Sequence, residues 1–294
     1  MRTIGSWTRS ALSVLALAAS ATVAVSTQQP SPDLDGLLTR VGERIERYYK
    51  RVQQIICTEK VTATPIGLDF APSGFGRVLE YELRVESDES LNGDPADAKV
   101  VRDLRKVNGR TPKEKDEPGC YDPNPLSTEP LSFLLASHRA EYVFTWAGFG
   151  KGKDRDTFLI DFKPIESGKP ELMEDARGRR DCFSVTMPGA TKGRIWVDSA
   201  THDVLRIEEH LRGPMSVSVS ADQQRKHNLP PMLLIERYDW AIRYKAVAFE
   251  DPAEMMLLPD SIELLAVMHG AQSHRNRQVF SDYKRFMTGA RLVK

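Results

Sequence analysis

The chain has 294 residues, 40% hydrophobic and 28% charged, with 41 basic against 41 acidic side chains. That content supports a packed core and excludes a disordered or low-complexity chain. The even charge balance excludes the clustered cationic surface from which nucleic-acid binders draw their affinity.

The first residues read as a targeting segment. Arg2 and Arg9 precede an apolar run from Ala11 to Val25, and Ala24 and Ser26 supply small residues before a cut. This is the pattern of a secretory signal peptide over residues 1–26, cleaved near Ser26. The run is short for a bilayer span of roughly 20 residues. The expectation is therefore a periplasmic or secreted protein with a single domain over residues 27–294 and no transmembrane span in the mature chain. Export places Cys57, Cys120 and Cys182 in an oxidising compartment, where one disulfide and one free thiol are expected, with all three pairings open. Their wide spacing lacks the local pairs of a zinc site, and neither a metal nor a cofactor is expected.

From Ser31 to Gln53 the sequence predicts a helix. Ser31 is a candidate cap, Pro32 suits the first turn, and Asp33 and Asp35 oppose the positive end of the helix dipole. Leu34, Leu37, Leu38, Val41, Ile45, Tyr48, Tyr49 and Val52 recur at three and four residues and form one apolar stripe. "IICTEKVTA" and "RVLEYELRVES" follow as strands. In the second, Leu79, Tyr81, Leu83 and Val85 alternate with Glu80, Glu82, Arg84 and Glu86, the period of an antiparallel strand with one wet face. "AKVVRDLRKVNGR" is a strand closed by an Asn-Gly turn. "KEKDEPGCYDPNPLSTEP" is a loop, and "TEPLSFLLASH" a short apolar helix capped by Thr128.

Strands resume with "AEYVFTWAG", "DTFLIDFKP", "DCFSVTMPG" and the hairpin "GRIWVDSATHDVLRIEEHL", turning at "SATHD". In that hairpin Ile195, Val197, Leu205 and Ile207 share one face, and Glu208 and Glu209 point apart. "MLLIERYDWAIRYKAVAFE", "MMLLPDSIELLAVMHG" and "NRQVFSDYKRFM" complete ten or eleven strands. Two helices are too few for parallel crossovers, so the sheet is expected to be antiparallel.

Catalytic patterns are missing. No G-x-S-x-G occurs, and Ser281 and Lys284, three apart on a strand, face opposite ways. None of the six histidines has a metal partner at helical spacing, and His269 and His274 are expected to flank a solvated turn. The expectation is a binding protein and not an enzyme; an exported hydrolase with a dispersed active site is the reading that sequence leaves open.

The hairpin residues Gly193, Ile195, Trp196, Val197, Asp198, Leu205, Arg206 and Glu208 form a pattern similar to hairpins of the LolA-like superfamily of exported bacterial proteins. That superfamily includes lipoprotein carriers and RseB-type regulators. The order of signal, amphipathic helix and meander agrees with it over most of the mature chain. The resemblance implies an α+β fold, mainly β: a strongly curved antiparallel sheet, an incomplete barrel, with the N-terminal and short central helices over its concave side. It further implies a cradle for a lipid, an acyl chain or a lipidated protein. Leu131, Phe133, Leu134, Phe144 and Trp146 are the residues suited to line it, with the short helix as a lid. The alternative is an envelope domain that senses another protein.

Overall fold

The chain divides into residues 1–31 and 32–294. A computed structural model describes residues 33–52, 55–67, 69–86, 99–114, 116, 119–123, 129–151, 156–175, 182–250 and 253–285. The expected signal peptide, its cleavage point and the candidate caps Ser31 and Thr128 lie outside these residues. Among them are two α-helices, α1 (Leu34–Val52) and α2 (Ala221–His227), and thirteen strands. The strands are β1 (Ile55–Ile66), β2 (Arg77–Glu86), β3 (Lys99–Val107), β4 (Tyr142–Lys151), β5 (Asp156–Pro164), β6 (Glu171–Glu174), β7 (Phe183–Thr186), β8 (Thr191–Asp198), β9 (Val204–Leu211), β10 (Met215–Ser218), β11 (Met232–Glu250), β12 (Ala253–His269) and β13 (Ser273–Arg285).

Asp33 caps α1: its Oδ1 accepts from the Gly36 amide at 3.1 Å, satisfying one of the amides that a helix start leaves unpaired. Leu37, Leu38, Val41, Ile45, Tyr49 and Val52 bury the predicted stripe. The short central helix is a 3-10 turn over Glu129–Leu134 and not an α-helix. Six residues cannot repay α-helix nucleation, and Gly42 of α1 sits so close that an added Cβ would stand 3.1 Å from the Leu134 carbonyl oxygen.

Eleven strands form one sheet in the order β3-β2-β1-β13-β12-β11-β9-β8-β5-β4, with β10 beside β11. Every pairing is antiparallel, as expected. Laid flat, β2 and β5 would stand about 34 Å apart at the usual strand spacing, whereas a helix is about 10–12 Å across. Yet one apolar cluster joins Leu83 and Val85 of β2, Ile160 and Phe162 of β5, and the buried stripe of α1. The polar flanks of α1 reach both ways as well. Arg44 pairs with Asp203 in the β8–β9 turn, and Arg51 pairs with Glu254 at the start of β12. The sheet therefore curls around α1, and β3 and β4 remain unpaired edges among the described residues.

Two local features depart from the sequence reading. A register shift after Trp196 pairs Val197 with Val204 and Trp196 with Arg206. Val204, at 5% exposure, thus joins Ile195, Val197 and Ile207 in the core in place of the half-buried Leu205. The second feature is α2, which the sequence reading passed over. Its start is a capping box in which Ser220 Oγ accepts from the Gln223 amide and Gln223 Oε1 accepts from the Ser220 amide.

The cysteines resolve one open question. Cys120 and Cys182 form a disulfide, and Cys57 is a buried thiol. Burial, and next the nearby Glu59 carboxylate, push the Cys57 thiol up to about 12, so it stays protonated and unreactive.

Candidate ligand hollow beneath the disulfide

Four of the five residues expected to line a ligand site meet in one cluster. The Phe133 ring lies 4.6 Å from Phe162, 5.2 Å from Tyr142 and 6.2 Å from Phe144, and only 7% of Phe133 is exposed. Leu131 and Leu134 are buried beside it, wedged between α1 and the strands β4 and β5. Trp146 packs on the same core through a second trio, 5.1 Å from Phe149 on the edge strand β4 and 5.7 Å from Phe158 on β5.

Farther along the same face of the sheet, away from α1, lies an apolar hollow of about 170 Å³. Ile235, Tyr238, Ala266 and Met268 give it a floor, from neighbouring strands β11 and β12. Cys120, Tyr121 and Cys182, with Phe183, Val185 and Met187 on and just after β7, give it a roof. β6 and β7 pair only with each other, so side-chain packing on the main sheet, the disulfide, and the bonds of Gln223 to the Leu172 backbone oxygen and of Lys226 to Glu174 hold this hairpin down. The loop bearing Cys120 is fixed independently: Asp122 Oδ2 accepts from the Gly119 amide at 2.7 Å and pairs with Arg77 at 3.1 Å.

The disulfide closes a loop across a separation of 62 residues. Removing it with Cys120→Ser and Cys182→Ser is expected to cost about 4 kcal/mol, chiefly by freeing the unfolded chain. A thermal melt of oxidised, reduced and double-serine protein should show the last two coinciding well below the first.

His274 lines the hollow together with the hydroxyl-bearing Tyr121, Ser184 and Tyr238. Its ring lies tilted against Tyr121, with 4.9 Å between ring centres, and the Tyr121 backbone oxygen accepts from Asn276 Nδ2 at 2.8 Å. The expected solvated turn histidine is thus half-buried, with an Nδ1 that is shielded from water and finds no partner in the protein. The loop around Tyr121 that covers it comes from far along the chain, beyond the reach of local spacing. Burial lowers the His274 pKa, against a smaller opposing hydrogen bond to the Gln272 backbone. A depressed folded pKa makes its contribution to stability complete above the ordinary value of about 6.5 and lost as pH falls through the folded value. Glu209, raised by burial, has the opposite sign, losing its contribution as pH rises through its folded pKa. The difference between wild type and His274→Phe isolates the first term. Chemical denaturation below about pH 6.5 should show wild type losing stability faster than the variant.

The sheet's other face is polar. Asp161, Arg194, Glu208, Ala241, Glu263 and Arg277 are successive register partners across six strands. Arg194 donates to Asp161 at 2.6 and 3.0 Å, Arg206 pairs with Glu208, and Arg243 reaches Glu263 at 3.4 Å. A hollow of about 650 Å³ opens over small Ala241. It is larger than the apolar one, but its charges largely satisfy each other and it offers little apolar burial. Trp196 faces this side beneath the Arg206 guanidinium, 4.7 Å from the ring centre.

Among the described residues, no group of three or more His, Cys, Asp and Glu side chains is placed to hold a metal ion. No described helix is long and apolar enough to cross a membrane. An open antiparallel sheet curled around a helix, with an apolar hollow on its inner face, defines a β-cradle architecture. No protein-family model and no curated protein matches the chain. Among solved structures, it is similar to a domain described as an outer membrane lipoprotein-sorting protein from Vibrio parahaemolyticus, at 12% identity and TM-score 0.41 over 85% of this chain and 94% of that one. It is also similar to a LolA superfamily protein from Nitrosomonas europaea, at 11% identity and TM-score 0.36 over 86% and 94%. A DUF1329 family protein from Desulfovibrio piger aligns at 10% identity and TM-score 0.40 over 87% and 94%.

Proposed function

We propose that this chain is an exported binding protein that shelters the apolar part of a lipid, an acyl chain or a lipidated protein on the inner face of its sheet. The observation that carries this reading is the apolar hollow between β11, β12 and the disulfide-tied hairpin. Its 170 Å³ is below the roughly 300 Å³ at which sites for drug-sized ligands begin, so it takes the end of a chain and not a whole lipid. Each methylene buried there contributes about 0.8 kcal/mol.

A longer chain has an apolar path. Along β11 the inner face runs Tyr238, Trp240, Ile242, and along β12 it runs Ala266, Leu264, Ile262; Trp240 and Leu264 are half-buried register partners. This strip leads from the hollow toward the cluster of Leu131, Phe133, Leu134 and Phe144. In this reading those residues form the far wall of the ligand path, and Trp146 lies at its outer edge.

Organic extraction of protein purified from the envelope fraction, followed by mass spectrometry, tests the proposal, together with uptake of a fluorescent fatty acid. Ala266→Leu fills the hollow and should weaken uptake at least tenfold with an unchanged melt. Ligand-free protein that takes up no probe would overturn it. A second reading, recognition of another envelope protein, has the charged row from Asp161 to Arg277 in its favour, since ion pairs on a rigid sheet set specificity. Crosslinking in the envelope that is abolished by Arg194→Glu with Arg277→Glu would support that reading.

A further inference from the structure

We infer that the free edge of β4 docks an extended acidic segment of a partner protein, which joins the sheet as one more strand. Its acids lie over Lys163 and Lys192, and its alternate apolar side chains lie beside Phe144 and Trp146. The inference is independent of the hollow beneath the disulfide. It deepens the reading of a protein partner by naming that partner's chemistry.

The backbone offers the edge. The Ile165 amide donates to the Glu141 carbonyl oxygen at 2.8 Å, and the ladder continues with Val143 opposite Lys163 and Thr145 opposite Asp161. Bonding alternates along an antiparallel pair, so Val143 and Thr145 bond to β5 and the N–H and C=O groups of Phe144 point away from it. The Tyr142 amide also points away and is taken by the Arg139 carbonyl oxygen. Phe144 and the Trp146 amide face outward with no strand beside them among the described residues. The two sheet edges are guarded differently. β3 carries Lys99, Asp103, Arg105 and Lys106, which discourage strand addition. β4 carries neither a charge nor a proline from Tyr142 to Gly150, and Val143 and Phe149 are exposed. A bulge between Trp146 and Gly148 limits the regular stretch to residues 142–146.

Charge selects the occupant. Val143 and Thr145 border a hollow of about 570 Å³ on the outer face, which Lys163 and Lys192 also line. The lysines stand on neighbouring strands, one step past the register pair Phe162 and Gly193, and the next residue in the row is His210, the register partner of Lys192. Like charges side by side on a sheet repel. The two acids of the hollow are occupied, Asp161 by Arg194 and Glu208 by Arg206, and Glu141, just before β4, turns to His138 at 3.5 Å. Neither lysine has an ion-pair partner among the described residues. An added strand that points an acid outward opposite Val143 supplies one, while its neighbour opposite Phe144 points inward and adds apolar burial. A second copy of β4 would pair edge to edge without bringing an acid to either lysine.

The test titrates the oxidised full chain at low salt with acetyl-Val-Glu-Val-Glu-Val-Glu-Val-amide, read by the backbone amide signals of β4 in NMR spectra. This peptide should bind at least about tenfold tighter than its glutamine counterpart, and the difference should shrink as salt screens it. Lys163→Glu with Lys192→Glu, both exposed positions, should abolish the preference with an unchanged melt. Methylating the amides of two adjacent central residues of the peptide, one on each edge of the strand, should weaken binding about tenfold or more, because strand addition needs those donors. Equal binding of the methylated peptide would reduce the contact to charge attraction and overturn strand addition. Equal binding of the glutamate and glutamine peptides, or binding of neither, would overturn the acidic partner. Dimerisation through β4 that the peptide cannot displace, seen by sedimentation velocity, would give the edge to a second copy and refute the inference. Failure of the peptide with crosslinking still lost in Arg194→Glu with Arg277→Glu would keep a protein partner and refute the edge as its site.

Discussion

Phe133→Asp is expected to lower the melting temperature by roughly 10–20 °C, a loss of about 5 kcal/mol in a domain of this size. Deleting a buried phenylalanine side chain alone costs about 3–5 kcal/mol. The carboxylate adds desolvation, since it would stand among Tyr142, Phe144 and Phe162, with Leu131 and Leu134 beside it and no cation described in the cluster. The carboxyl will take up a proton to avoid the worst of that penalty, so the loss should shrink as pH falls through the shifted pKa of the introduced acid. The same variant separates two roles for the 3-10 turn. A lid that opens for ligand contributes little to the global core, and its variant would lose ligand with a nearly unchanged melt. The close packing of Phe133 on Phe162, with the Leu134 carbonyl against Gly42 of α1, predicts the large drop. Urea denaturation read by tryptophan fluorescence and by circular dichroism should give coincident transitions, both displaced.

The strands were legible because their period is written in single residues. Leu79, Leu83 and Val85 alternate with Glu80 and Glu82, and the structure places the acids outward, where they pair with Lys106 and Arg105. The stripe of α1 and the separate faces of Glu208 and Glu209 were legible for the same reason. The helix α2 carried its own signal, the S-x-x-Q of Ser220 and Gln223 with a basic last turn, but the side chain it buries is His227, which is not apolar, so its seven residues show no apolar period. The Leu205 bulge was not legible, because a strand pattern assumes an unbroken register, and one extra residue exchanges Leu205 for Val204. The hollow was hidden for a larger reason. Cys120 and Cys182 come together, and Tyr121 meets His274, only once the sheet has curled and the β6–β7 hairpin has folded back on it. No local window contains both sides of such a contact, so spacing left three disulfide pairings open and made His274 look like a turn residue.

Arg102→Met should be nearly as damaging as the core change, for an electrostatic reason. Glu59 is fully buried on the inner face of β1, and Arg102 of β3 is 7% exposed. The guanidinium grips the carboxylate with two nitrogens, Nε at 2.7 Å from Oε2 and Nη2 on Oε1, and its remaining arm donates to the Pro123 backbone oxygen at 2.7 Å. Gln278 donates to Glu59 Oε1 at 2.8 Å, and the Arg102 guanidinium lies 4.1 Å over the Tyr81 ring. Each polar atom here has an assigned partner, so the pair can persist despite the cost of taking two charges out of water. Methionine fills much of the arginine's volume but leaves the carboxylate with Gln278 alone, and breaking a buried pair in this way costs about 3–5 kcal/mol. It also frees Pro123, and with it one anchor of the loop that carries Cys120 and Tyr121 over the hollow. The double variant Glu59→Gln with Arg102→Met removes both charges and should recover part of the stability, giving a coupling energy in a double-mutant cycle of at least about 1 kcal/mol. If the single and double variants melt together, the pair is not coupled as its geometry requires. If Arg102→Met melts like wild type, the disulfide, Asp122 and Asn276 hold the loop without it.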